Sequence, residues 1–240
     1  MIKAKTTKLY NMLPLSIFFL FSAIQPILSL MTLPSIFFQI IHYIPAICLL
    51  IFVKLTFYRD KKSPFKLFMF IVITLKIVSL LIGIFIAPFT FPMLSTVSKK
   101  EIIYFLIYKL IACVNLTISY SWLAYSALKY HQTIKHQSIE PWIKRRYQII
   151  GFSALILLIE AVAILFWPNS AEGLRDPQAL LIGFIMTLET VIFSIGSIIG
   201  WMMPKKLKNY FNKDFTYGIE EPLDEDKLLE KIKSELSKEN

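Results

Sequence analysis

The sequence has little charge and few cysteines, and both shortages restrict what the chain can be. Charged residues make up 18% of its 240 residues, below the roughly 25% that is typical of soluble domains. The two cysteines, Cys48 and Cys113, both fall within apolar runs, which argues against a disulfide framework. Together with the histidines they show no metal-ligand spacing, so we predict neither a metal site nor any other cofactor.

Charge is absent above all from three long stretches. No Asp, Glu, Lys or Arg occurs from Leu9 to Val53, residues 67–98 contain only Lys76, and residues 177–204 contain only Glu189. A helix in water needs a solvated polar face, whereas about 20 apolar residues suffice to cross the roughly 30 Å hydrocarbon core of a membrane. Each stretch is long enough for one or two crossings. The sequence therefore predicts an all-α, polytopic transmembrane helical bundle.

Prolines and polar loops divide the apolar tracts into six predicted spans. We place them near residues 10–31, 36–57, 66–88, 102–128, 148–168 and 179–203. The first apolar run is too long for a signal peptide and has no A-x-A cleavage site, so we interpret it as a retained helical hairpin. Residues 1–204 are then the bundle. Residues 205–240 are a cytoplasmic basic segment followed by an amphipathic tail helix.

The formal net charge of +10 comes from basic loops, which orient a membrane protein. Apart from Lys76 and Lys109 within spans, every Lys and Arg lies on one side of the six-span arrangement except Lys99, Lys100 and Arg175. The positive-inside rule makes the basic side cytoplasmic. We therefore expect a multi-pass protein of the cell membrane with both termini in the cytoplasm. No basic surface interleaved with stacking aromatics is visible, so we predict no nucleic-acid partner.

Three charged residues fall near the middle of predicted spans, namely Lys76, Glu160 and Glu189. A charge at that depth costs about 2.5 kcal/mol or more, and such residues are functional candidates. Pairing Lys76 with one acid would reduce this cost and leave the other acid to be protonated, because a low dielectric disfavours the ionised form. Two interpretations stay open. The charges are either a buried pair that fixes helix register or the titratable site of a proton-linked or cation-linked transporter.

Polar and small residues recur at helical spacing within most spans. Lipid offers them no hydrogen-bond partners, so we expect them to face other helices. The candidates for a polar interior are His42, Asn115, Ser119 and Thr190. Ordinary interhelical packing and a wet or ligand-filled interior both account for them. Gly196 and Gly200 form a G-x-x-x-G spacing, which predicts a close helix approach within the chain or between chains.

Two segments after the last span are candidates for contacts outside the bundle. Basic residues stand there among apolar ones, at Lys205, Lys206 and Lys208. Each Lys near an anionic membrane surface contributes about 1 kcal/mol, so we expect anionic lipid at this segment. Farther on, Leu229, Ile232 and Leu236 form a narrow apolar stripe. This tail is either a solvated helix or a helix for a protein partner or self-association.

The predicted loop between spans 4 and 5 contains the run I-E-P-W-I-K-R-R-Y, residues 139–147. Pro141 after Glu140 is typical of a helix start. With Arg146, Tyr147 and the following Gly151, the run resembles a loop of uncharacterised small multi-span, seven-helix sensor-like prokaryotic membrane proteins. The six spans predicted here depart from the seven of that type. The resemblance implies a signalling or sensory role, with this loop facing the cytoplasm.

The motifs of the common membrane enzymes are missing from the sequence. It has no H-E-x-x-H, no Walker A run, no paired-Asp constellation and no Schiff-base Lys in the last span. We therefore predict a non-enzymatic membrane protein of sensor or receptor type that binds a small or lipophilic ligand, or a partner, within the bundle. The alternative is a small secondary transporter or channel that uses the midplane Glu and Lys residues.

Overall fold

The computed structural model describes residues 2–29, 35–59, 62–86, 99–168, 177–213 and 215, and every regular element within them is helical. The helices are α1 (Ile2–Ser29), α2 (Ser35–Phe57), α3 (Phe65–Ile86), α4 (Lys99–Ile134), α5 (Pro141–Ile156), α6 (Leu158–Ala163), α7 (Pro177–Met202) and α8 (Lys205–Phe211), with a 3₁₀ turn at Ile164–Phe166. The predicted all-α bundle is confirmed.

Four segments among the described residues are long and apolar enough to cross a membrane. They are Phe65–Ile82, Leu106–Ile134, Pro141–Phe166 and Pro177–Met202. Shorter apolar stretches occupy Asn11–Ile24 of α1 and Tyr43–Phe57 of α2. These six segments follow the order of the six predicted spans, and the chain is a helical membrane protein. The largest boundary difference is at α1, which begins at Ile2 where the sequence predicted a span from residue 10.

The outer surface of the bundle is apolar, and α3 is the clearest case. Between residues 65 and 82 only Val72, Lys76 and Ser79 are buried. Their spacing of four and three residues places them on one face of the helix. Elsewhere on α3 large apolar side chains face outward, with Phe70 69% and Ile77 53% exposed. Such a surface is unfavourable in water and favourable in lipid.

In the interior of the bundle, helices that are distant in sequence pack against each other through aromatic side chains. Phe193 of α7 is fully buried, and its ring meets those of Phe18 and Phe19 of α1 at centroid distances of 5.8 and 5.7 Å. Phe52 of α2 packs edge-on against Trp201 of α7 at 5.3 Å. These aromatic contacts hold the first helical hairpin against the last span.

The helix face of α7 that carries the G-x-x-x-G spacing packs closely against another helix of the same chain. A Cβ atom built on Gly196 would lie 2.5 Å from the Cβ of Ser153, and one built on Gly200 would lie 2.5 Å from Cγ1 of Ile150. Neither distance is compatible with a side chain in the present backbone position. The glycine face of α7 therefore lies directly on α5.

The α-helical hydrogen bonding of the fifth span is interrupted at one residue, which the sequence did not predict. α5 ends at Ile156, Leu157 forms a turn but keeps helical dihedral angles (φ −60°, ψ −19°), and α6 begins at Leu158. The amide of Glu160 donates to the carbonyl of Leu157, three residues back, at 3.1 Å. No proline or glycine occurs between residues 155 and 161, so neither of these residue types accounts for the interruption.

The last span is followed by a short helix at the basic end of the bundle. Pro204 ends the turn after α7, and α8 starts at Lys205. The predicted basic segment is thus helical over its first seven residues. The predicted tail helix with Leu229, Ile232 and Leu236 lies outside the described residues.

Candidate functional site

A buried acidic site forms where α4, α6 and α7 meet. Glu160 lies just after the interruption at Leu157, and it accepts a hydrogen bond of 2.8 Å from the hydroxyl of Tyr120. Glu189 of α7 is only 2% exposed. It lies close enough to both residues for their charges to interact. The site therefore combines two carboxyl groups and one phenol near the middle of the membrane.

Glu189 is the incompletely bonded member of this acidic site. Its carboxyl approaches the backbone of Glu160, but among the described residues neither of its oxygens has a hydrogen-bond partner. A buried polar group without a partner costs about 1–3 kcal/mol. Two adjacent carboxylates in a low dielectric also repel each other. Positive charge, as a proton or a small cation, would relieve both penalties.

Lys76 does not supply this positive charge. Its side chain is 6% exposed, and its ammonium group lies 4.2 Å from the ring centroid of Tyr43 in α2. The pairing of Lys76 with Glu160 or Glu189 suggested by the sequence is therefore not formed between these described side chains. The reason is helix arrangement, because α3 packs on α2 and α4, whereas α6 packs on α4 and α7.

A second polar region lies on α4. Asn115 and Ser119 are fully buried, and the Ser119 hydroxyl donates to the Asn115 carbonyl at 2.9 Å. Within the described part of the chain, neither side-chain amide atom of Asn115 has a hydrogen-bond partner. Trp122 packs on Phe68 of α3 at 5.4 Å. Asn115 lies on α4 and Lys76 on α3, each in the direction that leads from the Trp122–Phe68 contact away from the basic end. At a rise of 1.5 Å per residue along each helix, the two residues are at nearly the same depth in the bundle.

Thr190 is satisfied by its own helix. Its hydroxyl donates to the Met186 carbonyl at 2.8 Å, and Thr187 donates to the Gly183 carbonyl at the same distance. Thr187 is nevertheless exposed. The expectation that polar residues within spans face other helices is wrong for Thr187, because a hydroxyl bonded to a carbonyl four residues back can face lipid. His42 lies on α2, but its side chain is not among those described.

Lys109 lies at the end of the bundle opposite the basic end and has a structural role. Lys109 is buried, and its ammonium group donates to the carbonyl of Trp167. The backbone N–H of Trp167 closes the 3₁₀ turn after α6 by donating to the Ile164 carbonyl. Lys109 therefore lies at the C-terminal end of this helix, where the helix dipole favours a cation.

At the basic end, α8 is tied to the start of α5. Glu140 accepts hydrogen bonds from the indole N–H of Trp142 and from the side-chain amide of Asn212 at 3.3 Å. Asn212 in turn accepts from the backbone N–H of Trp142 at 3.3 Å. The ammonium group of Lys208 lies 3.9 Å from the centroid of the Trp142 ring. We name Glu140, Trp142, Lys208 and Asn212 the basic-end junction.

The rest of the I-E-P-W-I-K-R-R-Y run continues this junction into the bundle. Pro141 is the first residue of α5, as its position after Glu140 predicts. The guanidinium of Arg146 lies 4.7 Å from the Trp201 ring centroid, and the Tyr147 ring meets those of Tyr130 and Phe57 at 4.5 and 6.1 Å. The run therefore joins α5 to α2, α4, α7 and α8. The sequence singled out the run but did not predict its partners.

The fold and these sites define a multi-span helical membrane protein with polar groups buried at mid-depth and a bonded junction at one end. Comparisons with protein-family models, with curated proteins and with solved structures each found no match to this chain. The resemblance of the loop to sensor-like proteins therefore stays a prediction. The arguments for function rest on the geometry of the acidic site and the basic-end junction.

Proposed function

We propose that this chain is a non-enzymatic membrane sensor or receptor that takes up a proton or a small cationic ligand between Glu160 and Glu189. The observation that carries the proposal is the state of Glu189, a buried carboxyl with unpartnered oxygens beside a second carboxyl. Intramembrane ionisable groups of this kind are functional candidates. Tyr120 would orient Glu160 through its hydrogen bond and so shape the site.

The helix that bears Glu189 connects this site to the basic end. Along α7 the contacts with α5 come first, at Gly196 and Gly200, and Trp201 then lies against Arg146. A movement of α7 caused by occupancy of the site would therefore be transmitted to α5 and to the basic-end junction, since packed rigid elements carry such coupling. In the proposal this junction is the output of the sensor.

We place the basic end in the cytoplasm of a cell-membrane protein, following the positive-inside rule. Labelling of single cysteines in whole cells tests this orientation. In a chain whose Cys48 and Cys113 are replaced by Ala, a cysteine at Lys62 should react only after permeabilisation, and one at Asn169 should react without it. The opposite pattern would reverse the topology.

The binding proposal is tested with the purified protein in lipid nanodiscs. Tryptophan fluorescence is followed during titration with acid and, separately, with Na⁺, K⁺ and tetramethylammonium. A saturable change is expected, because Trp201 lies on the helix that carries Glu189. Glu189→Gln should abolish the change, Trp201→Phe should reduce its amplitude, and the control Thr187→Ser should preserve it. An unaltered titration in Glu189→Gln would exclude this site.

A small secondary transporter is the second candidate, and the neighbouring carboxyl groups of Glu160 and Glu189 favour it. Ionisable residues within membrane spans mark the ion pathways and proton relays of pumps and transporters. Transport predicts that proteoliposomes containing the wild type move protons or a monovalent cation, and that folded Glu160→Gln and Glu189→Gln variants do not. A wild type that titrates in nanodiscs but produces no flux would favour the sensor.

A further inference from the structure

An open groove of about 660 Å³ runs along the bundle between α5 and α7 and ends against α8. Its volume is in the range of roughly 300–1,000 Å³ that is typical of ligand sites. Most of its length is lined by the apolar residues Ile149, Phe152, Ile156, Ile192 and Ile195. The end next to α8 is lined by Arg145, Gln148 and Tyr210. The groove is therefore apolar along its walls and polar and cationic at one end.

The length and position of this groove fit one leaflet of a bilayer. From Arg145 to Ile156 the helix rises roughly 16 Å at 1.5 Å per residue, about half of the roughly 30 Å hydrocarbon core. The groove opens to the lipid-facing surface, where Phe152 and Ile195 are each 53% exposed. An acyl chain that starts at the membrane surface would occupy this space.

The charged end of the groove selects the headgroup. The guanidinium of Arg145 is exposed and donates one hydrogen bond, of 2.7 Å, to Gln148. A guanidinium has five N–H donors in a fork that matches phosphate oxygens. α8 adds exposed Lys205 and Lys206 at the same end of the bundle, whereas Lys208 already contacts Trp142. The local charge is therefore complementary to an anionic lipid.

We infer that this groove binds one anionic phospholipid, with its phosphate at Arg145 and one acyl chain between α5 and α7. The inference does not depend on the acidic site. The two places are nevertheless neighbours, because Ile156 and Ile192 at the apolar end lie within one helical turn of Glu160 and Glu189, respectively. The bound acyl chain would end close to the acidic site.

Native mass spectrometry tests this inference with the full chain, released from nanodiscs that contain equal amounts of phosphatidylglycerol and phosphatidylcholine with identical acyl chains. The wild type should retain one phosphatidylglycerol in preference to phosphatidylcholine. Arg145→Gln should lower that preference about fivefold, the effect of one lost contact between a basic residue and anionic lipid. The matched control is Lys66→Gln, because Lys66 is also an exposed basic residue but lies on α3, and it should preserve the preference.

The acyl-chain part is tested by filling the groove. Ile192→Trp should lose the retained lipid, whereas Ile77→Trp on the lipid-facing side of α3 should keep it. Because a Trp could disturb packing, a photoreactive phosphatidylglycerol with a diazirine in mid-chain gives a second readout on the wild type, and it should label residues 149–156 and 192–196. Equal retention of the two lipids, an unchanged preference in Arg145→Gln, or labelling spread evenly over α3 and α7 would indicate annular lipid only and overturn the inference.

Discussion

Polar groups occur at two levels of the bundle, and their hydrogen bonding differs. In the basic-end junction Glu140 accepts from both Trp142 and Asn212. At mid-depth, Glu189 and Asn115 have buried side-chain atoms without partners among the described residues. Buried polar groups in proteins are usually satisfied, and exceptions are concentrated where function requires them. The junction therefore holds helices together. The mid-depth groups, in contrast, lower the free energy of unfolding and are available to bind a ligand.

This difference predicts that substitutions at the two levels change the free energy of unfolding in opposite directions. Changes at the basic-end junction, and in the α5–α7 contact that connects the levels, should lower the free energy of unfolding. Replacement of an unpartnered mid-depth group should leave it unchanged or raise it. All the variants below are compared by unfolding of the purified protein in one detergent.

The largest effect is expected for Gly196→Ala in the contact between α5 and α7. The new Cβ would lie 2.5 Å from the Cβ of Ser153, so the two helices must separate, at a cost of up to about 3 kcal/mol. Gly183→Ala is the matched control on the same helix, because there a Cβ meets only ring atoms of Trp167 at 3.9 Å or more. Equal stability of the two variants would contradict the close packing of α7 on α5.

At the basic-end junction, Glu140→Ala should lower the free energy of unfolding by about 2 kcal/mol. The substitution leaves the indole N–H of Trp142 and the amide of Asn212 without their acceptor. It should also raise the quenching of tryptophan fluorescence by iodide as α8 detaches. Glu140→Gln keeps one acceptor oxygen, so its loss in the free energy of unfolding should be about half of that in Glu140→Ala. If Glu140→Ala is as stable as the wild type, the junction does not hold α8.

At mid-depth, Glu189→Leu should raise the free energy of unfolding by about 1 kcal/mol, because it removes a buried carboxyl without hydrogen-bond partners. Glu160→Leu is the contrasting variant. It leaves the Tyr120 hydroxyl without its acceptor and should lower stability. A loss in Glu189→Leu comparable to that in Glu140→Ala would mean that the Glu189 carboxyl is satisfied in the folded protein.

The smallest effect is expected for the energetic coupling between Lys76 and Glu160. Their side chains make separate contacts, with Tyr43 and Tyr120 respectively. In a double-mutant cycle, the changes in the free energy of unfolding caused by Lys76→Met and by Glu160→Gln should therefore be additive to within about 0.5 kcal/mol. A coupling energy above about 1 kcal/mol would restore the ion pair that the sequence suggested.

Helix positions and depths were predictable because they depend on local composition. The predicted span at residues 36–57 corresponds to Ser35–Phe57, and that at residues 179–203 to Pro177–Met202. The positions of Lys76, Glu160 and Glu189 within their helices follow from the same boundaries. Hydropathy fixes where a helix enters lipid, and a residue's depth then follows from the rise per residue.

The contacts of these residues could not be predicted in the same way. Hydropathy does not indicate how a helix is rotated about its axis or which helix packs beside it. Rotation and neighbour together determine that Lys76 contacts Tyr43 and that Glu160 contacts Tyr120. Tyr120 was missed, although a phenol next to the buried Ser119 was a signal. The interruption of helical hydrogen bonding at Leu157 was also missed, since neither proline nor glycine marks it.

That interruption lies between two halves of the fifth span that are held by different neighbours. The half nearer the basic end, α5, is fixed by the glycines of α7 and by the basic-end junction. The other half, α6, is attached to α4 through Glu160 and Tyr120. Leu157 keeps helical dihedral angles between them, so the two halves form one continuous crossing. A displacement of Glu160 would therefore be carried along this crossing to the basic-end junction, because packed rigid elements transmit coupling.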